Sequence, residues 1–239
     1  MSNILHLLHL ADSAFPIGAH AHSYGLETLV TEGAVTDTAR LRELLRAHLL
    51  VALARTDLVA LRWAYELAAA RDLNGLGRLD AELSALKPVR EWREASAGTG
   101  RRLVVTARSF LRSPRGHGDT EKREKDMLDE LVLLHERGMV EPHHALAYGA
   151  VGQVLDVDVD DLAQAYAFGA ASAAVSAAVR LIPLGQSAAQ ATVHALKGDV
   201  AEAARVSATH PRDEMGGGLP LVEIAGMRHE RAPARLFIS

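Results

Sequence analysis

His20 and His22 stand two residues apart, immediately after a Pro16-Ile17-Gly18 run. On a helix, side chains at i and i+2 diverge, so the pair can chelate one ion only from an extended or turned backbone. That geometry is available, because Pro16 sets φ for the second position of a turn and Gly18 suits the fourth position of a type I turn. No carboxylate or third histidine follows at ligand spacing, so a closed metal site at His20 and His22 would need a second subunit. The plain structural alternative for 10–27 is a helix–turn–helix corner around a tightly packed glycine. Of the 12 histidines, His143 and His144 also adjoin. They point roughly 100° apart on a helix and read as a capping or partner-facing pair.

Other recognisable chemistry is missing from the sequence. There is no Gly-Lys dipeptide and hence no phosphate-binding P-loop. Gly98-x-Gly100 lacks the third glycine of a dinucleotide fingerprint and sits inside a helical pattern. His135-Glu136 and His229-Glu230 lack the second histidine of a zinc-protease helix, and no serine lies in a nucleophile elbow. The alternating aspartates of 156–161 resemble a calcium loop without its glycine and terminal glutamate, so helix capping explains them better. With no cysteine there is neither disulfide nor thiolate site. No catalytic residue and no cofactor is expected.

Helical elements must position these residues. Apolar spacing of three and four recurs almost throughout, and strand alternation is nearly absent. Phe15 precedes Pro16 and is pushed out of the helical region, so a first helix over 4–11 should stop near Ser13. A second should start around His22 and run to Gly33, with Gly25 inside it. A mid-helix glycine costs roughly 1 kcal/mol relative to alanine, which implies close approach of another backbone or of a partner. Asp37 caps a long helix continuing past Asp57 to about Arg71. Further helices are expected over 76–86, 90–112, 119–137, 142–155, 162–181, 184–197 and 199–208, with a loop at 113–118 and a solvated charge run, including a Glu121–Lys125 pair, after it. The expectation is an all-α chain: one bundle-like domain of about ten helices over 1–215, and a flexible tail over 216–239 linked by Gly216-Gly217-Gly218.

The chain has 239 residues, 49% of them hydrophobic and only 4% aromatic, so its core must rest on close packing of small side chains. Lys and Arg number 26 against 30 acidic residues, a formal charge of −4, which argues against nucleic-acid binding. The Ala-rich stretch 162–182 is interrupted by Gln164 and Arg180 and is less apolar than a spanning segment requires, so a buried helix and no membrane partner are expected. No secretory signal is visible at the N-terminus, and a cytoplasmic location is expected.

Five stretches, in order, resemble the signatures of the urease accessory protein F family. They are Pro16-x-Gly18-x-x-x-His22-Ser23-x-Gly25-Leu26-Glu27; Arg90-x-x-x-Glu94-x-Ser96 with Gly100-Arg101-x-Leu103; Pro142-His143 with Tyr148-Gly149 and Gly152; Ser176-x-x-x-Arg180 through Pro183-Leu184-Gly185-Gln186; and His229-Glu230-x-x-x-x-Arg235-Leu236-Phe237-x-Ser239. The resemblance spans the chain. It implies a non-enzymatic helical adaptor that dimerises, binds the D-type accessory protein (H in some organisms), recruits the G-type GTPase and assists nickel delivery to apo-urease. On that reading the partner-binding residues are Pro16, Gly18, His22, Ser23, Tyr24, Gly25, Glu27, Arg180, Leu184, Gly185, Gln186, Arg235, Leu236 and Phe237. Many members carry Gly-Phe-Ser-Tyr-Ser where this chain has Ala19-His20-Ala21-His22-Ser23. These histidines keep an alternative open, a nickel-binding metallochaperone using His20 and His22.

Overall fold

A computed structural model describes residues 3–12, 14–18, 22–111 and 118–238, with the backbone alone for 118–126. His20, residues 113–117 of the loop expected at 113–118 and the side chains of the charge run lie outside the described residues. Among those described there is no strand, and twelve α-helices follow one another: α1 (Asn3–Ala11), α2 (Leu26–Thr31), α3 (Thr38–Ala47), α4 (Asp57–Ala69), α5 (Leu73–Leu86), α6 (Arg90–Leu111), α7 (Gly118–Glu136), α8 (His144–Val154), α9 (Val159–Leu181), α10 (Gln186–Ala195), α11 (Lys197–Thr209) and α12 (Pro220–His229).

The centre is the crossing of α4 and α8. Leu58, Val59, Ala60, Leu61 and Ala64 of α4 are fully shielded, and α8 is buried over nearly its whole length. The backbones meet so closely that a Cβ at Gly149 would overlap the Leu61 carbonyl oxygen. Small side chains permit this approach, and close approach replaces aromatic bulk as the means of filling the core. Around the pair lie α5, α6, α9 and α11. In α9 the buried face is Leu162, Ala163, Tyr166, Ala167, Ala171, Val175 and Ala178. This helix is long and apolar enough to cross a membrane by composition, yet it packs against α4, α8, α10 and α11. Its start is capped by Asp158, which accepts from the Asp160 and Asp161 N–H groups, so the alternating aspartates serve the cap.

Three local expectations are corrected. The long helix through Asp57 is broken: α3 runs into a π-helical turn at His48–Leu53, and α4 restarts only after Thr56, whose φ of −122° and ψ of −79° are not helical. The glycine run fills that break. Gly216 N–H donates to the Arg55 carbonyl at 3.0 Å, and a Cβ at Gly217 would overlap the Val51 carbonyl oxygen. Second, Gly25 is not inside a helix. It precedes α2 with φ +84°, following Tyr24 at φ +50°, and two successive left-handed residues cannot continue a right-handed helix. Third, Pro220–His229 forms α12, for which no helix was expected. Pro220 at the first turn, Glu223 near the start and Arg228 with His229 near the end suit a helix, but its apolar residues show almost no one-sided pattern.

Candidate functional site

The turn before α2 is held from α6. Arg102 Nε donates to the Ile17 carbonyl at 2.7 Å, and its guanidinium lies over Gly18, where φ is +73°. After the turn, Gly25 sits against α12. A Cβ there would stand 2.9 Å from the Val222 carbonyl oxygen, 3.2 Å from Gly226 N and 3.3 Å from the Trp92 ring. The close neighbour implied by the sequence is therefore the chain's own C-terminal helix, with Trp92 of α6 wedged beside it. Tyr24 packs edge-on to Trp92, ring centroids 6.1 Å apart.

This approach places Glu27 beneath the end of α12 and builds a polar clasp between the two ends of the chain. The Glu27 carboxylate accepts the Leu236 N–H at 2.7 Å and the Phe237 N–H at 3.1 Å, and meets His229 Nε2 at 3.1 Å. His229, 1% exposed, reaches Glu91 Oε2 through Nδ1 at 2.9 Å, while Arg235 donates to Glu91 Oε1 at 2.7 Å. Arg90 pairs with Glu230 and with Glu94, and Arg228 pairs with Glu32. Burial pushes the Glu27 carboxyl up, but the Leu236 N–H, the His229 ring and the Phe237 N–H together hold it below the usual carboxylate range. Phe237 is buried, and the Arg180 guanidinium lies 5.6 Å above its ring.

Behind the clasp is a cavity of about 490 Å³. Phe15, Ile17, Leu26 and Leu53 supply apolar wall, and His22, Ser23, His48, Asp57, Lys87 and Tyr166 supply polar lining. Burial alone pushes the Asp57 carboxyl up, yet Lys87 Nζ, at 2.9 and 3.0 Å from its two oxygens, holds it below the ordinary range. Burial, and then Arg102, keep His22 below the usual imidazole range. Desolvation lowers His144 to about 4, so its ring is neutral at pH 7. Ser23 Oγ, Trp92 Nε1 and His144 Nε2 are buried without a hydrogen-bond partner among the described residues, and all three residues line this cavity.

Of the residues expected to bind a partner, Pro16, Gly18, Tyr24, Arg180, Gly185, Gln186, Arg235 and Leu236 reach the surface. His22, Ser23, Gly25, Leu184 and Phe237 are buried within the chain, and Glu27 is half-buried in the clasp. His143 and His144 do not form an exposed pair: His143 is 1% exposed with Nε2 2.8 Å from Ser84 Oγ, and His144 stacks near Tyr166, ring centroids 4.8 Å apart. Among the described residues no three His, Cys, Asp or Glu side chains converge as metal ligands. Glu91, Trp92 and the Asp57–Lys87 pair were not singled out from the sequence. Glu91 and Trp92 lie between the quoted Arg90 and Glu94, but Glu91 finds His229 and Arg235 138 and 144 residues further on, Trp92 packs on Tyr24 and Gly25 far back in the chain, and no local spacing announces them.

A buried α4–α8 crossing ringed by helices, with Glu27 near one end of the chain and His229 near the other joined in one clasp, defines an all-helical protein. The UreF family model matches residues 35–197. The chain is 35% identical to the urease accessory protein UreF of Geobacillus kaustophilus (strain HTA426) over 99% of this chain and 98% of that protein. It is 36% identical to the urease accessory protein UreF of Arthrobacter sp. (strain FB24), over 98% of this chain and 96% of that protein. The urease accessory protein UreF of Corynebacterium glutamicum (strain R) is 34% identical over 98% and 96%. The chain belongs to the UreF family of urease accessory proteins.

Proposed function

We propose that this protein is a non-enzymatic, cytoplasmic adaptor in urease maturation. It bridges the D/H-type accessory protein and the G-type GTPase and so assists nickel insertion into apo-urease, working as a homodimer. The observation that carries this reading is the apolar surface beside the clasp. Leu221, Ile224 and Met227 on α12, with Leu236 and Ile238 beyond it, are all exposed, while the backbone beneath Leu236 is held by Glu27. A rigidly backed apolar surface is what a protein partner buries. The exposed Ile4, Leu5 and Leu8 of α1 offer a second such surface, suited to self-association.

Co-expression with the D-type and G-type accessory proteins followed by pull-down tests the reading. Recovery of a ternary complex is expected, and Leu221→Asp with Ile224→Asp should abolish capture of the D-type protein. Capture of neither protein by the intact chain would overturn it.

A further inference from the structure

His229 touches a carboxylate with each ring nitrogen, Nδ1 on Glu91 and Nε2 on Glu27. An ionised carboxylate only accepts hydrogen bonds, and a neutral imidazole carries one N–H and one lone pair. A neutral ring here would therefore set a lone pair against a carboxylate oxygen at contact distance. Placing the extra proton on a carboxylate instead is disfavoured on both sides. Glu27 already accepts two backbone N–H groups, and Glu91 accepts from Arg235. Only the imidazolium satisfies all three groups.

We propose that His229 is a proton-operated latch, closed as the imidazolium bridging Glu27 and Glu91, whose deprotonation frees the C-terminal segment 230–238. The groups around it are Glu27 of α2 and the Arg228-paired Glu32 just after it, Arg90, Glu91 and Glu94 from α6, and Glu230 and Arg235 from the C-terminal segment. His22 lies in the field of Glu91, and Arg180 of α9 covers Phe237. Once the proton leaves, the ring can donate to only one carboxylate. Either Glu27 or Glu91 then loses its hydrogen bond to the end of α12, leaving Arg228–Glu32, Arg90–Glu230 and Arg235–Glu91 as the remaining ties, and the Leu236 and Phe237 N–H groups depend on a Glu27 that has lost its cationic neighbour.

The latch goes beyond the adaptor reading and is tested on the isolated full chain, with no partner present, so the two fail independently. In 15N-labelled protein, the His229 ring nitrogens report its charge, and the Leu236 and Phe237 amides report segment opening. The expected result is an imidazolium in the closed form. Exchange of both amides, corrected for intrinsic base catalysis, then accelerates by about tenfold or more as the ring titrates, the scale of one charge-assisted hydrogen bond. In Glu91→Gln the amide donates to a neutral Nδ1 and its carbonyl still accepts from Arg235, so protection should persist and lose its pH dependence. A neutral ring with both amides protected, ring titration without a change in exchange, or wild-type pH dependence in Glu91→Gln would each overturn the proposal. Should that variant not fold, the wild-type titration alone decides.

Discussion

The Glu27 carboxylate accepts the backbone N–H of Phe237 at 3.1 Å across 210 residues of chain. The acid of the N-terminal signature is therefore a cap for the C-terminal one. It satisfies backbone donors much as a helix N-cap does, but between segments distant in sequence.

Glu27→Ala removes the acceptor for Leu236, Phe237 and His229 together. Stability should fall by about 2 kcal/mol or more, and limited proteolysis should cut between 230 and 238 while far-UV helicity is nearly retained. Unchanged protection of that segment would show that the clasp does not hold it.

Gly25→Leu should lower the melting temperature clearly. A side chain at φ +84° is strained by roughly 1–2 kcal/mol. It would also press on the α12 backbone at Val222, with overpacking of about 1–3 kcal/mol. A variant as stable as wild type that loses only its partner would instead assign Gly25 to an intermolecular surface.

Deletion of 219–239 should leave the 1–215 helical domain folded, with helicity reduced by little more than the share of α12, and should abolish capture of the D-type accessory protein. Loss of cooperative unfolding in the truncated protein would place α12 in the core.

Acid should unfold the protein through His143 and His144. Burial lowers each from 6.5 to about 4, so the unfolded chain takes up protons first. The stability from their neutral forms is complete above pH 6.5 and is lost as pH falls towards 4, at most about 3 kcal/mol per histidine. Asp80 acts oppositely. Burial raises it from 3.8 to about 6, so its contribution is present below pH 3.8 and is lost as pH rises through 6. Chemical denaturation of His144→Gln across pH 4–7 should show a shallower acid limb than wild type; an identical limb would exclude His144.

Nickel binding to the free protein should be weak and unaffected by His20→Ala with His22→Ala, as read by calorimetric titration. Tight binding lost only in that double variant would establish the metallochaperone alternative.

The sequence by itself determined the helical class, the position of most helices and the family, because amphipathic spacing, caps such as Asp37 and Asp158, and five ordered motifs are local or simply linear features. The close neighbour expected at Gly25 is present, although the mid-helix position that implied it is not. Only the tertiary structure decided what that neighbour is. The Gly25–Val222 contact, the Glu27–His229–Glu91 clasp and the Asp57–Lys87 pair join elements far apart in the chain, and periodicity carries no information about such partners. The break at Thr56 was equally hidden. Residues 48–53 have good helical spacing, and their departure into a π-turn shows only where Gly216 donates to the Arg55 carbonyl and Gly217 lies against the backbone of Val51. Tertiary hydrogen bonding there overrides local propensity.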